Sequence, residues 1–466
     1  MVGGSGVSYG LVVIGGGAAG LSAARTAAAR GARPLMITEG PPGGECTFTG
    51  CVPSKALIEA AAHGAGFDEA MGRVRSAVTR VAATEDESVL AGEGIEVLRA
   101  RASFLAPDRI EVGGRVLFAP RVVVATGGGP RLPGIPGLAE ADPLTTDDVF
   151  TLAEPPESLA VLGAGPVGCE LAQALARLGV AVTVVEGRDR LLPGEDPEAS
   201  RVIAERFARE GVTVRTGAPV TRVSGGAGRW RLEIDGGAPV VAERILVATG
   251  RTPGTRGMGL AEAGVETDDR GFVRTSDRLA TTSPSELYAA GDVTGRIALT
   301  HAAHLMGRVA ATNALRRGRG VRFDDRVVPR VAFTDPEVAQ VGLTEHEAAL
   351  RHPGSRVAYL PMGEVDRAVT AGRTDGFVRI VAGPRPILGH TGGGRVLGAT
   401  IVGERAGELV HEIALAMRTG MFTGRLAQTV HAYPTHAIAV QQTAAQFVME
   451  YAGRRARPAR RGERKA

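Results

Sequence analysis

Two segments of this chain follow one plan, and that plan fixes most of its architecture. The stretch "YGLVVIGGGAAGLSAARTAAARG" gives a short apolar strand, then Gly15-x-Gly17-x-x-Gly20, then an Ala-rich helix, and the next strand, "PLMITEG", ends in Glu39. Gly15 permits the tight turn, Gly17 lets the backbone approach a pyrophosphate, and Gly20 lets the helix pack closely on the strand. The helix N-terminus then faces the phosphates, and Glu39 can bond both hydroxyls of an adenosine ribose. "SLAVLGAGPVGCELAQALARLGVAVTVVEG" repeats the plan with Gly163, Gly165, Gly168 and Glu186. Gly15 and Gly163 stand 148 residues apart, Glu39 and Glu186 147. "RVVVATGGGP" (121–130) and "RILVATGRTP" (244–253) pair in the same way. A bare G-x-G-x-x-G means little in a chain with 66 glycines, but matching flanks at both ends of each half make chance a poor account. The fold class is α/β with two Rossmann-like dinucleotide-binding domains. Two such sites in one chain suggest a flavin in one and a nicotinamide nucleotide in the other, handing over a hydride.

At 466 residues the chain is too long for a single core, and a hydrophobic fraction of 44% marks it as globular. No apolar run reaches the roughly 18 residues of a membrane helix. The first one, "LVVI", runs into glycines rather than a cleavage site, so we expect neither export nor a membrane, and a cytoplasmic protein. "MVGGSG" before it reads as a disordered leader. The net charge of +4 is a property of the tail. Residues 453–466 carry seven Arg and Lys against Glu463, a net of +6, which leaves the body at 4 − 6 = −2. We expect a solvated, disordered tail rather than a nucleic-acid arm.

Three cysteines cannot form a disulfide framework, and a structural zinc site needs four ligands, so no metal site is expected. Two of the three, Cys46 and Cys51, lie in "GGECTFTGCVPSK", a loop whose glycines can bring them within bridging distance. A close pair in a chain without an export signal reads as redox-active. "VPSK" then opens a helix, whose N-terminus stabilises a thiolate. Lys55 follows one turn later, and the only other lysine is Lys465. A chain that spells nearly every cation as arginine keeps this ammonium for a purpose: it is compact, where guanidinium is planar and bulky. Cys169, in the second fingerprint helix, reads as a packed core residue.

With the dithiol, both fingerprints and "LYAAGD" (287–292), the chain resembles the pyridine nucleotide-disulfide oxidoreductases from about Tyr9 to Tyr451. The resemblance implies FAD on the first fingerprint and NAD(P)H on the second. It implies a first FAD segment over 1–150, an NAD(P) domain over 151–276, a return to the FAD domain over 277–326, an α+β dimerisation domain over 327–452 and the basic tail over 453–466. Asp292 is implied to hold the flavin's ribityl chain, and Gly44, Thr126, Gly127 and Gly250 complete the cofactor contacts. "LTHAAHLMGRVAATNAL" (299–315) is implied to be the helix that starts beneath the flavin. Cys51 is implied to face the flavin as a thiolate and Cys46 to exchange with substrate. Lys55 is implied to lie beside flavin N5, paired with Glu170.

In dithiol-using members a His precedes the Pro-Thr pair of the C-terminal segment, a Glu follows five residues later, and the homodimer partner supplies both as an acid–base dyad. This chain has Tyr433 and Ile438 there, in "HAYPTHAIAVQQTAAQF" (431–447), which we read as helical. His431 and His436 flank Tyr433, and His436, three residues on, is the better substitute on a shared helix face. Poor turnover of dihydrolipoamide and glutathione disulfide is therefore expected, with an activated disulfide, a quinone or a metal ion preferred. Glu186 favours NADH over NADPH, unless Arg188 and Arg190 swing in to grip a 2′-phosphate. The leading reading is an FAD-dependent NAD(P)H:disulfide oxidoreductase acting on a small disulfide, dithiol or other acceptor. One alternative is a mercuric-ion or other metal or quinone reductase, although no cysteine follows Cys169. The other is a non-catalytic redox sensor.

Overall fold

The computed structural model describes residues 8–226, 228–316 and 318–461; the "MVGGSG" leader and the last five residues lie outside these. The chain forms two compact units: residues 1–133, 144–154 and 247–323, and residues 134–143, 155–246 and 324–466.

The first unit is built on a parallel sheet in the order Glu286–Ala289, Arg121–Val124, Leu11–Ile14, Pro34–Thr38, Glu96–Arg99. Its inner strands, "LVVI" and "PLMIT", are buried at every position, as strands covered on both faces must be. Helix Ala18–Ala28 lies against helix Thr300–Leu315. Their approach demands glycine: a Cβ on Gly307 would stand 2.0 Å from the Ala19 carbonyl oxygen. The two "ATG" segments that pair in sequence also pair in space. Strand Arg251–Pro253 runs antiparallel to Gly128–Pro130, with Thr252 opposite Gly129.

That ladder draws residues 247–276 into the first unit. Met258, Leu260, Ala263, Val265 and Val273 share one buried cluster with Val12, Ile14, Leu35 and Ile37. The chain therefore rejoins the first unit at 247, thirty residues before the expected 277.

The second unit repeats the strand–helix–strand plan. Strands Thr213–Arg215, Ala181–Val185 and Ser158–Leu162 are parallel, with Arg244–Val247 beside the last. The correspondence reaches single bonds. Gly15 N–H donates to Ile37 O at 2.8 Å, and Gly163 N–H donates to Val185 O at 2.9 Å. The unit also contains a six-stranded antiparallel sheet in the order Arg330–Ala332, Glu337–Gly342, Arg395–Gly403, Phe377–Gly383, Arg356–Pro361, Arg457–Pro458. Helices Ala406–Arg418 and Ile438–Ala445 bury Val410, Ile413, Val440 and Ala444 against its Val378, Ile380, Ala399 and Ile401. The nucleotide-type sheet and this sheet, read from sequence as separate domains, form one unit by contact. Gln173 and Arg177, on the second fingerprint helix, bond the main chain and carboxylate of Asp335 at 2.8 and 2.7 Å.

Two expectations are corrected here. The tail is not a free arm over its described part. Arg457–Pro458 adds an edge strand to Arg356–Pro361, Arg457 pairs with Glu345, and Arg454 pairs with Glu364. The segment read as helical from 431 turns helical only at Ile438, because Pro434 lacks an N–H and restricts Tyr433 before it. Tyr433 and His436 therefore share no helix face. Among the described residues, no helix is long and apolar enough to cross a membrane.

Candidate active site

The redox loop is packed directly on the first fingerprint. Gly43 N–H donates to Gly16 O at 2.8 Å, and a Cβ on Gly44 would stand 2.8 Å from Gly17 Cα, so no larger residue fits there without displacing the turn. Gly44 at φ +59° and Gly15 at φ +115° adopt backbone angles that favour glycine. Cys46 lies in the short helix Gly44–Phe48, and Cys51 is the first residue of helix Cys51–Ala62. Gly50, the N-cap of that helix, offers no side chain, so the helix N-terminus stays available to the Cys51 sulfur.

Both cysteines are free thiols, hydrogen-bonded to one another. A third group completes the pair. Thr300, at the start of the helix that packs on the first fingerprint helix, puts its Oγ1 3.1 Å from Cys51 Sγ and 3.4 Å from Cys46 Sγ. The Cys46 thiol is pushed well up by its bond to Cys51, by burial and by the charges of Cys51 and Glu85, and the Thr300 hydroxyl pulls it partly back. The pair thus gives up one proton far more readily than both. The helix N-terminus beside Cys51 can stabilise negative charge on that sulfur. Lys55 is half-buried one turn further along the same helix.

The surroundings fit a flavin dinucleotide. Open space stands before Gly17 and Gly127, where an added Cβ would meet nothing within 4 Å, and Thr126 Oγ1 is buried without a hydrogen-bond partner. Gly291, at φ +82°, brings Asp292 to the start of the first fingerprint helix: a Cβ on Gly291 would approach Ala19 Cβ to 3.1 Å. Burial raises the Asp292 carboxyl above its ordinary range, and Arg251 draws it partly back. Glu39, just past strand Pro34–Thr38, is exposed to solvent. Gly250, at φ +114°, lies in this unit too and accepts the Arg131 amide at 3.0 Å.

The remaining candidates belong to the second unit. Gly163 and Gly165 form the turn before helix Pro166–Arg177, and a Cβ on Gly165 would meet nothing within 4 Å, which fits a second dinucleotide. Gly168 is buried within that helix. Glu186 accepts the amides of Ala164 at 2.7 Å and Arg188 at 2.8 Å, so its carboxylate is fixed beside the glycine turn. Arg190 is turned into its own loop, donating to Pro193 O at 2.9 Å. Glu170 is buried and accepts the Phe333 amide at 2.8 Å. Cys169 is buried, and burial raises its thiol.

The histidines reverse the order expected of them. His436 has both ring nitrogens buried without a hydrogen-bond partner, although Nε2 lies 3.4 Å from a Glu404 oxygen, and burial lowers its pKa. His431 instead stands between Glu412, 3.0 Å from Nε2, and the Thr429 carbonyl, 2.9 Å from Nδ1. Burial alone would lower the His431 pKa, but these two acceptors outweigh it and hold the ring above its usual value. Tyr433 is 69% exposed and donates its hydroxyl to Asp366 at 2.6 Å, which raises its pKa.

Sequence reasoning missed Thr300, Arg251, Glu45 and Glu85. Thr300 opens "THAAH" and Arg251 stands in "ATGRTP", both inside segments singled out for other residues. No spacing rule points to either side chain.

The family model for pyridine nucleotide-disulphide oxidoreductases matches residues 9–307, and that for their dimerisation domain matches residues 328–444. A mercuric reductase of Bacillus cereus is 35% identical over 449 residues, covering 92% of this chain and 70% of that protein. A dihydrolipoyl dehydrogenase of Thermus scotoductus is also 35% identical over 449 residues, covering 92% and 95%. Among solved structures, the HOCl-induced flavoprotein disulfide reductase RclA of Escherichia coli, as its Cu(II) complex, superposes with a TM-score of 0.84 at 27% identity over 92% of this chain and 98% of its own. LpdA of Mycobacterium tuberculosis gives a TM-score of 0.85 at 29% identity over 94% and 100%.

Proposed function

Because this chain belongs to the pyridine nucleotide-disulphide oxidoreductases, we propose that it passes two electrons from NADH through FAD to the Cys46–Cys51 pair, and from there to an external acceptor. The observation that carries this reading is the Thr300 hydroxyl within 3.4 Å of both sulfurs, at the start of a helix packed on the first fingerprint helix. FAD, when bound, supplies the two-electron relay between nicotinamide and sulfur. The chain supplies the rest. Two electrons and one proton break the Cys46–Cys51 bond, leaving Cys51 as thiolate at its helix N-terminus and Cys46 as thiol. With a disulfide acceptor, Cys46 Sγ loses its proton and bonds one substrate sulfur, while the other sulfur leaves with the bonding pair and takes up a proton. Cys51 then attacks Cys46 Sγ, expels the second substrate thiol with a further proton, and restores the disulfide. The sum is NADH, one proton and a disulfide giving NAD⁺ and two thiols.

Lys55 is the cation beside the reacting edge of the flavin in this reading. Glu186 selects NADH, and its carboxylate, fixed by two amides, supports that choice. The dimerisation domain supports a homodimer in which the segment carrying Tyr433 completes the partner's site. Tyr433 and Ile438 stand there in place of a histidine–glutamate dyad, with His436 three residues after Tyr433, so a more reactive acceptor suits the site: an activated disulfide or a quinone. A second reading, a metal-ion reductase, is favoured by relatives named mercuric reductase and by the Cu(II) complex of RclA, since a dithiol is a soft ligand.

Anaerobic titration of the purified protein with NADH and then NADPH tests the reading. A two-electron-reduced form with a long-wavelength thiolate-to-flavin band is expected, reached at lower NADH than NADPH. Reduction of the flavin without that band would remove the dithiol from the pathway.

A further inference from the structure

The redox loop and the aspartate expected to hold the flavin meet on one guanidinium. Arg251 opens the strand that pairs with Gly128–Pro130. Its Nη2 donates to Glu45, the residue before Cys46, and to the carbonyl of Gly128. Its Nε stands 2.9 Å from Asp292 Oδ2. One cation thus serves two carboxylates and a main-chain oxygen from three segments, while Asp147 adds a further negative charge nearby.

The balance of charge makes Arg251 decisive. Burial raises both the Glu45 and the Asp292 carboxyls, and the guanidinium is what opposes the rise in each. Glu45 sits in a helix of five residues, Gly44–Phe48, too short to hold itself in place. On its far side the helix is tied by Thr47, whose hydroxyl donates to Glu85 at 2.9 Å. Arg251 supplies the tie on the near side. Nη2 makes both hydrogen bonds, to Glu45 and the Gly128 carbonyl, while the delocalised charge at Nε faces Asp292.

Resting on the function proposed above, we infer that Arg251 is a positioning residue for the dithiol branch of electron transfer. It holds the helix that carries Cys46, through Glu45, in register with Asp292 and hence with the flavin. Removing Glu45 cuts the redox loop loose from this clamp. Removing Arg251 does that and also strips Asp292 of its counter-charge.

The test uses the full-length FAD-loaded protein as wild type, Glu45→Ala, Arg251→Gln and the double variant. Three quantities are read: the amplitude of the thiolate-to-flavin band, the rate of FAD release by flavin fluorescence, and the ratio of turnover on 5,5′-dithiobis(2-nitrobenzoate) to turnover on a dye reduced directly by the flavin. E45A should cut that ratio about tenfold and shrink the band, the loss of one charge-assisted bond. R251Q should cut the ratio at least as far and speed FAD release by about tenfold. The double variant should match R251Q within about twofold, since both changes break one clamp. Losses that multiply in the double variant would overturn the inference. So would a wild-type band and ratio in E45A, whose side chain is 37% exposed and whose replacement leaves the fold intact even should R251Q fail to fold. A wild type that forms no band at all would instead overturn the proposed function, and this inference with it.

Discussion

Thr300 Oγ1 lies 3.1 Å from Cys51 Sγ, joining residues 249 apart in sequence. The hydroxyl donates to Cys46 Sγ and can turn to Cys51 Sγ, so a thiolate on Cys51, as proposed above, would gain a donor. A donor to the charged form lowers a pKa, so its loss raises one. In Thr300→Val the thiolate-to-flavin band of the two-electron-reduced enzyme should appear at a pH higher by about one unit, as expected for one lost bond to a charged group. A pH titration of the long-wavelength absorbance measures the shift, and an unmoved midpoint would show that the hydroxyl donates elsewhere.

The two cysteines should fail differently. Cys51→Ser should retain FAD and dye reduction but lose the band and the reduction of any disulfide. Cys46→Ser should show a thiolate band near neutral pH without needing reduction, because its lone thiol faces the helix N-terminus with no partner to oxidise it, and should likewise lose disulfide turnover. Spectra of the two oxidised variants, taken side by side, distinguish the roles; disulfide reduction by either one would sink the assignment.

Nucleotide choice follows from Glu186, whose carboxylate is held by the Ala164 and Arg188 amides at 2.7 and 2.8 Å. Held there, it repels a 2′-phosphate, so kcat/KM should favour NADH by at least about tenfold. Glu186→Ser should narrow the ratio, with Arg188 the nearest cation free to approach the phosphate, since Arg190 is engaged at Pro193 O. A wild-type preference for NADPH would contradict this directly.

The pair of His431 and Glu412 gives a pH dependence with a definite sign. The folded pKa of His431 lies above its unfolded value, so the pair stabilises fully below the unfolded pKa of about 6.5 and fades as pH rises through the folded one. His431→Gln should therefore cost about 1 kcal/mol at pH 6 and progressively less above pH 7. Urea melts of both proteins across that range measure it, and a cost independent of pH would mean the ring is not charged. On the proposed reading, in which Tyr433 stands where dithiol-using members carry a histidine, dihydrolipoamide oxidation should lie some 10²–10⁴ below that of a dedicated dehydrogenase, and stopped assays with this dithiol and with a quinone rank the two.

The basic tail should act as structure. Truncation after Tyr451 removes the edge strand Arg457–Pro458, the Arg457–Glu345 pair and the Arg454–Glu364 pair. Thermal unfolding should shift down by about 1–2 °C, the scale of about 1–2 kcal/mol in a chain of this size. Nucleic-acid affinity at physiological salt should stay negligible in both forms; a loss of tight binding on truncation would restore the reading of the tail as an arm.

The parallel strands, the two fingerprint helices and their glycines were set by local rules. Strand, turn and helix each leave a periodic or steric mark within about thirty residues, which is why Gly15 and Gly163 make the same bond in both halves. The cysteine pair was equally readable, because spacing alone brings Cys46 and Cys51 together. Contacts between distant segments leave no such mark. Arg251 reaches Glu45 across 206 residues, Thr300 reaches Cys51 across 249, and Arg457 reaches Glu345 across 112. Each depends on where a rigid sheet or helix happens to deliver a side chain, and a polar residue looks the same in sequence whether it meets water or a buried partner. The choice between His431 and His436 shows this most sharply. Spacing from Tyr433 favoured His436, but Glu412, nineteen residues upstream of His431 in helix Ala406–Arg418, gives its carboxylate to the His431 ring.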